Sequence, residues 1–272
     1  MGYLFPFIFT FIGISNVAEK GVVPDSVIWS FYVGAAILIL CVIYTTSKVK
    51  EWNPQEYVEY NPVSEDKEES ANWITLLKKA PSTFWKVGLV QFFCWAAFLY
   101  MWNYTTGAIA ETVWNTTDPA SEPFQAAGNW VGVLFAVQAV GSVIWAAVLP
   151  QFKNTKVAYA VSLLLGAVGF AMVPFLHDQY LQFIPFLLIG CAWAAMLAMP
   201  FTFVTNALQG YGHMGAYLGL FNGTICIPQI VAALCGGVVL SLVGHHQSTM
   251  MIVSGVLLVL GAACVTVIRD KK

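Results

Sequence analysis

The chain has 272 residues, 58% of them hydrophobic and only 10% charged, with a formal net charge of −2 and a mean hydropathy of +0.72. A soluble domain of this size carries about 25% charged residues, so the deficit, gathered into long apolar blocks, places the chain in a lipid bilayer. A charge this small argues against a nucleic-acid partner.

An α-helix rises about 1.5 Å per residue and needs about 20 apolar residues to cross hydrocarbon. The block at 3–15 is too short to span unaided, and it lacks the basic start and small-residue cleavage site of a signal peptide. It reads as the tail of a span that begins outside this sequence. The first full span is expected at 28–46. The segment 49–85 is the one long connection. Its middle, 51–69, is acidic with Pro54 and Pro62 and reads as a solvated linker. Its end, Trp73-Ile-Thr-Leu-Leu77-Lys-Lys79, has the composition of a short amphipathic helix on the membrane surface. Six further spans are expected at 87–106, 128–149, 157–176, 183–205, 215–243 and 248–268.

The basic residues orient these spans. Lys48, Lys50, Lys67, Lys78, Lys79, Lys86, Lys153, Lys156, Arg269, Lys271 and Lys272 fall on one side, and Lys20 alone falls on the other. The positive-inside rule makes the rich side cytoplasmic. The C-terminus is then cytoplasmic and the 107–127 loop is outside. A plasma membrane, or the inner membrane of a bacterium, is the expected location.

A long central loop followed by six spans resembles the two-halved major facilitator architecture. The expected organisation is an all-α polytopic membrane protein. Residues 1–48 end an N-terminal bundle whose remainder is missing from this chain, 49–85 form the central cytoplasmic loop, and 86–272 form a six-helix C-terminal bundle.

Polar side chains are expensive inside a span unless they face a cavity or another helix. The spans at 28–46, 157–176 and 248–268 are bland, and every third helix being bland fits the outer scaffold helices of such a bundle. On the 87–106 span, Gln91, Trp95, Phe98, Trp102 and Thr106 recur at helical spacing, flanked by Asn103 and Tyr104. Aromatic faces beside amides suit a sugar, whose C–H face stacks on rings while its hydroxyls need donors and acceptors. Packing between helices is the competing reading. On the 128–149 span Gln138, Ser142 and Trp145 form a second stripe, open to ligand contact or to interhelical bonding. On the 215–243 span Asn222 and Gln229 are seven residues apart on one face, with Pro228 between them. Pro228, like Pro200 on the 183–205 span, removes a backbone donor and exposes carbonyls to a ligand or a hinge.

No Asp, Glu, Lys, Arg or His lies in the core of a span; Glu111, near the outer end of the 87–106 helix, comes nearest. The six cysteines sit singly inside apolar blocks and indicate neither disulfides nor zinc. His245-His246 has no partners at ligand spacing, so no metal and no cofactor is expected. Asn115-Thr-Thr117 is the one sequon outside a span.

Gly219-Leu-Phe-Asn222-Gly-Thr-Ile225-Cys-Ile-Pro228-Gln229 resembles the G-x-x-N-x-x-I-x-x-P-Q stretch of sucrose transporters. Those belong to the glycoside–pentoside–hexuronide:cation symporter group of the major facilitator superfamily. The run from Gly190 to Phe201 is similar to the preceding helix of that family, and Trp95-Ala-Ala-Phe98 with Gly107 to the helix that opens its second bundle. The stretch from Gly141 to Lys156 resembles a worn form of the superfamily's Gly-and-basic loop motif. The resemblance runs from about Lys86 to the end and implies transport of an α-glucoside such as sucrose or maltose, with a proton or sodium. The plant members carry Asp residues after W-x-x-F, where this chain has Trp102, Asn103 and Tyr104.

The expected partners are therefore the bilayer, a small sugar, a coupling cation and the missing bundle, and the expected substrate-binding residues are Gln91, Trp95, Trp102, Asn103, Gln138, Asn222 and Gln229. An integral-membrane enzyme would need a nucleophile, metal set or acid–base pair, and none is visible. A non-transporting sensor or scaffold that kept the fold is the alternative.

Overall fold

The computed structural model describes residues 5–15, 22–49, 53, 56, 72–210 and 213–268. The described residues are helical, with no strand among them. They divide into two compact units, Met1–Asn72 and Trp73–Lys272.

The first unit contains α1 (Phe5–Phe11) and α2 (Asp25–Lys48), which pack against each other. Only Ser26 of α2 is buried. The Thr45, Thr46 and Ser47 hydroxyls return to carbonyls of the preceding turn, which satisfies them inside an apolar helix.

The second unit begins with α3 (Trp73–Lys79), followed by α4 (Ser82–Val113), α5 (Glu122–Val148), α6 (Thr155–Met172), α7 (Phe183–Ala207), α8 (Met214–Phe221), α9 (Gly223–Leu242) and α10 (Gln247–Val265). Short 3-10 turns extend α5 through Gln151 and α6 through Phe175. With α8 and α9 counted as one interrupted span, and α2 included, seven helices among the described residues are long and apolar enough to cross a membrane.

Local chemistry sets the helix starts. Ser121 caps α5, its hydroxyl accepting from the Phe124 N–H, with Pro in the first turn. Asn154 caps α6 by accepting from the Lys156 and Val157 N–H groups. The start of α10 has no side chain of its own as cap; Glu111, one turn from the end of α4, reaches across instead. Its two carboxylate oxygens accept from the Gln247 N–H at 2.9 Å and the Ser248 N–H at 3.0 Å. That placement supplies negative charge where the helix dipole is positive.

Helix α4 packs against α5, α7, α9 and α10, while α6 packs between α7 and α10. Helices α5 and α7 approach closely. A Cβ on Gly190 would strike the Gln138 carbonyl oxygen, and one on Gly141 would lie 2.6 Å from the Leu187 carbonyl oxygen. Glycine at both positions lets the two backbones meet. The Ser142 hydroxyl then donates across the gap to the Gly190 carbonyl at 2.9 Å.

The bland helices do not form the outside of this unit. Helices α6 and α10 are about half buried, whereas the amide-bearing α5 and the α8–α9 span are the least buried spans of this unit. Polarity of a span therefore does not report its distance from the centre of the unit.

Candidate functional site

The stripe on α4 builds the site. Gln91, Trp95, Phe98 and Trp102 follow one another at turn spacing and lie around the middle of a helix of 32 residues. The Trp95 and Trp102 rings lie 6.4 Å apart. Trp193, near the middle of α7, joins them, with ring centroids 5.9 Å from Trp95, 5.1 Å from Phe98 and 5.7 Å from Trp102. Phe98 backs this layer and meets Phe170 of α6 at 5.8 Å. Edge-to-face and tilted contacts of this kind hold the rings in fixed orientations.

The polar atoms beside the rings are unpartnered. Gln91 has no exposed surface, and neither its side-chain oxygen nor its nitrogen meets a hydrogen-bonding partner among the described residues. The indole N–H of Trp95, a residue 8% exposed, is equally without one. An amide or indole left unpaired in apolar surroundings costs about 1–3 kcal/mol. Two such groups one turn apart are what a site looks like when a ligand or water supplies the missing partners.

Gln229 joins this level through the packing of α9 on α4. Gly88 lies against the Thr224 side chain, and Gly236 against the Tyr100 ring and the Tyr104 hydroxyl. Gly88 with Thr224 and Tyr100 with Gly236 keep one residue offset, so the helices run parallel and in step. Gln229, half-buried, comes level with Phe93, within one turn of Gln91. Asn222 is exposed and comes level with Lys86. At the helical rise that is about 14 Å from the level of Trp95, so Asn222 stands apart from the aromatic layer.

Asn222 is also where the span is interrupted: its N–H bonds both the Leu218 and the Gly219 carbonyls, and α9 restarts behind it. Asn103 is exposed on α4, one position after Trp102. Gln138 is buried on α5 at the crossing with α7. Its two companions on the stripe turn to other helices. Ser142 bonds α7, and the Trp145 indole N–H donates to the Ser162 hydroxyl of α6 at 2.8 Å.

Sequence reasoning missed Trp193. The available signal was a lone Trp at mid-depth of its span. It also gave Glu111, near the outer end of its helix, no partner, because its partners are backbone N–H groups that no side-chain pattern reveals. Among the described residues no group of three or more His, Cys, Asp or Glu side chains is placed to hold a metal ion.

No curated protein matches this chain. The family profile described as Major Facilitator Superfamily matches residues 2–233. That match covers well over half of the sequence and most of the membrane-length helices, so the chain belongs to the major facilitator superfamily of integral-membrane transporters.

Proposed function

We propose that the protein transports a sugar, an α-glucoside such as sucrose or maltose, by alternating access coupled to a proton or sodium ion. In this reading Trp95, Trp102 and Trp193 stack on the sugar ring, Gln91, Asn103, Gln138 and Gln229 bond its hydroxyls, and Asn222, about 14 Å from that layer, meets the sugar on its way in or out. The observation that carries it is the buried, unpaired amide of Gln91 beside the unpaired Trp95 indole within an aromatic layer. A sugar offers both halves of the match: an apolar ring face and hydroxyls that donate as well as accept. The Asp, Glu, Lys and Arg residues of the described spans in this unit, Lys86, Glu111, Glu122 and Lys156, stay near the helix ends. That favours a neutral glycoside over a charged uronide, which would need a counter-charge in a low-dielectric site.

The same reading takes 86–272 as a C-terminal six-helix bundle, 1–48 as the end of the bundle before it, and 49–85 as the cytoplasmic loop between them, in a plasma or bacterial inner membrane. Membrane vesicles from cells expressing the protein together with a bundle that completes the helices of 1–48 should take up radiolabelled sucrose or maltose saturably, and vesicles with this chain alone should not. An imposed proton or sodium gradient should accelerate that uptake. Uptake equal to that of control vesicles for both sugars would sink the proposal.

A further inference from the structure

A second surface lies at the other end of α4, away from the aromatic layer. Helix α3 ends at Lys79 and α4 starts at Ser82, so only Ala80 and Pro81 separate them. Two extended residues reach about 7 Å, which confines α3 to the membrane boundary.

At about 100° per residue, α3 divides into three sectors. Leu76 is buried and belongs to the face packed on α8. Trp73, Ile74 and Leu77 form a second, apolar sector, with Trp73 60% exposed. Thr75 and Lys79 form the third, and Lys78 lies on the border of the apolar one. The first two turns of α4 add Trp85, 53% exposed, and Lys86. Beneath these residues Phe84 meets Trp85 and Phe221 at 5.4 Å each and Tyr217 at 6.4 Å, so the corner is rigidly backed.

Two exposed indoles, an isoleucine and three lysines, all within residues 73–86 at the start of a span, have the chemistry of the headgroup boundary. Tryptophan prefers that depth, and lysine there attracts anionic lipid. We propose that the α3–α4 corner is a docking surface for acidic phospholipid, with Trp73, Ile74 and Trp85 set among the acyl chains and Lys78, Lys79 and Lys86 on the phosphate. The exposed rings commit the site to a lipid rather than a free phosphate, since a soluble anion would leave them in water.

Native mass spectrometry of the purified protein from micelles containing equal phosphatidylglycerol and phosphatidylcholine tests this. Retained phosphatidylglycerol should exceed phosphatidylcholine, and the excess should fall as ionic strength rises. Lys78→Gln/Lys79→Gln should reduce the excess by about tenfold or more, whereas Lys78→Arg/Lys79→Arg should keep it. Trp73→Ala should lower retention of both lipids alike. Unfolding temperatures of all variants separate lost binding from lost folding. No preference in the parent protein, a preference undiminished in the double Gln variant, or full displacement by soluble glycerol phosphate would each overturn the proposal.

Discussion

If Gln91 binds the sugar as proposed, stability and function pull in opposite directions at this position. Its amide is buried beside Trp95 with both polar atoms unpaired, so the empty protein carries a desolvation penalty that a bound hydroxyl would remove. Replacing it with methionine, similar in length and apolar, should raise unfolding stability without sugar by about 1–3 kcal/mol. The same change should weaken sugar binding about tenfold or more, since roughly 1.4 kcal/mol corresponds to a factor of ten. Thermal unfolding in detergent and equilibrium binding on one preparation check both signs. A destabilised variant that binds normally would show that the amide serves the fold. Gln229 is half-buried and level with this site, and Gln229→Ala should weaken binding by roughly threefold to a hundredfold with little change in expression. Misfolding of that variant, with normal binding by the fraction that folds, would instead make Gln229 a bond between helices.

At the level of the helices, backbone carries much of the specificity. The α5–α7 crossing depends on two glycines where a Cβ would strike a carbonyl oxygen. Gly190→Val should destabilise by about 1–3 kcal/mol or more, because neither backbone can yield as a flexible side chain would. Gly219 on α8 has nothing within 4 Å of a Cβ position, so Gly219→Ala should be neutral or stabilising by up to about 1 kcal/mol through helix propensity. Equal melting temperatures for the two variants would refute this account of the crossing. The cap that Glu111 provides for α10 is a second case. Glu111→Ala removes two charge-assisted bonds to the Gln247 and Ser248 N–H groups and should cost about 1–2 kcal/mol. Glu111→Gln keeps one acceptor oxygen and should cost less. Unfolding curves that do not distinguish the three proteins would show that α10 needs no cap from α4.

For the whole molecule, the one-sided distribution of Lys and Arg proposes an orientation that labelling can test. On a cysteine-free background, Asp118→Cys should react with an impermeant reagent from outside, and Lys67→Cys only after the inner face is opened; labelling of both from the same side would reverse the topology or break it. Span positions were legible in the sequence alone. The expected 28–46, 215–243 and 248–268 correspond to Asp25–Lys48, Met214–Leu242 and Gln247–Val265. Residue 67 falls in the acidic linker at 51–69, which lies almost wholly outside the described residues. The spans could be read because hydrocarbon thickness acts on each segment separately: about 20 apolar residues satisfy it whatever their neighbours are. The grouping of Gln91, Trp95 and Trp102 was legible for a similar reason, since turn spacing on one helix is local. Tertiary structure alone decided what each face meets. It brought Trp193 from α7 onto that stripe, turned Ser142 and Trp145 toward neighbouring helices, separated Asn222 from the aromatic layer and gave Glu111 to the start of α10. In a membrane the lipid-facing and protein-facing sides of a helix are both apolar, so hydrophobic pattern does not tell them apart. The partner of each face is set by close packing of small residues and by where a backbone or amide group is left in need of a hydrogen bond, and those exist only once the helices have met.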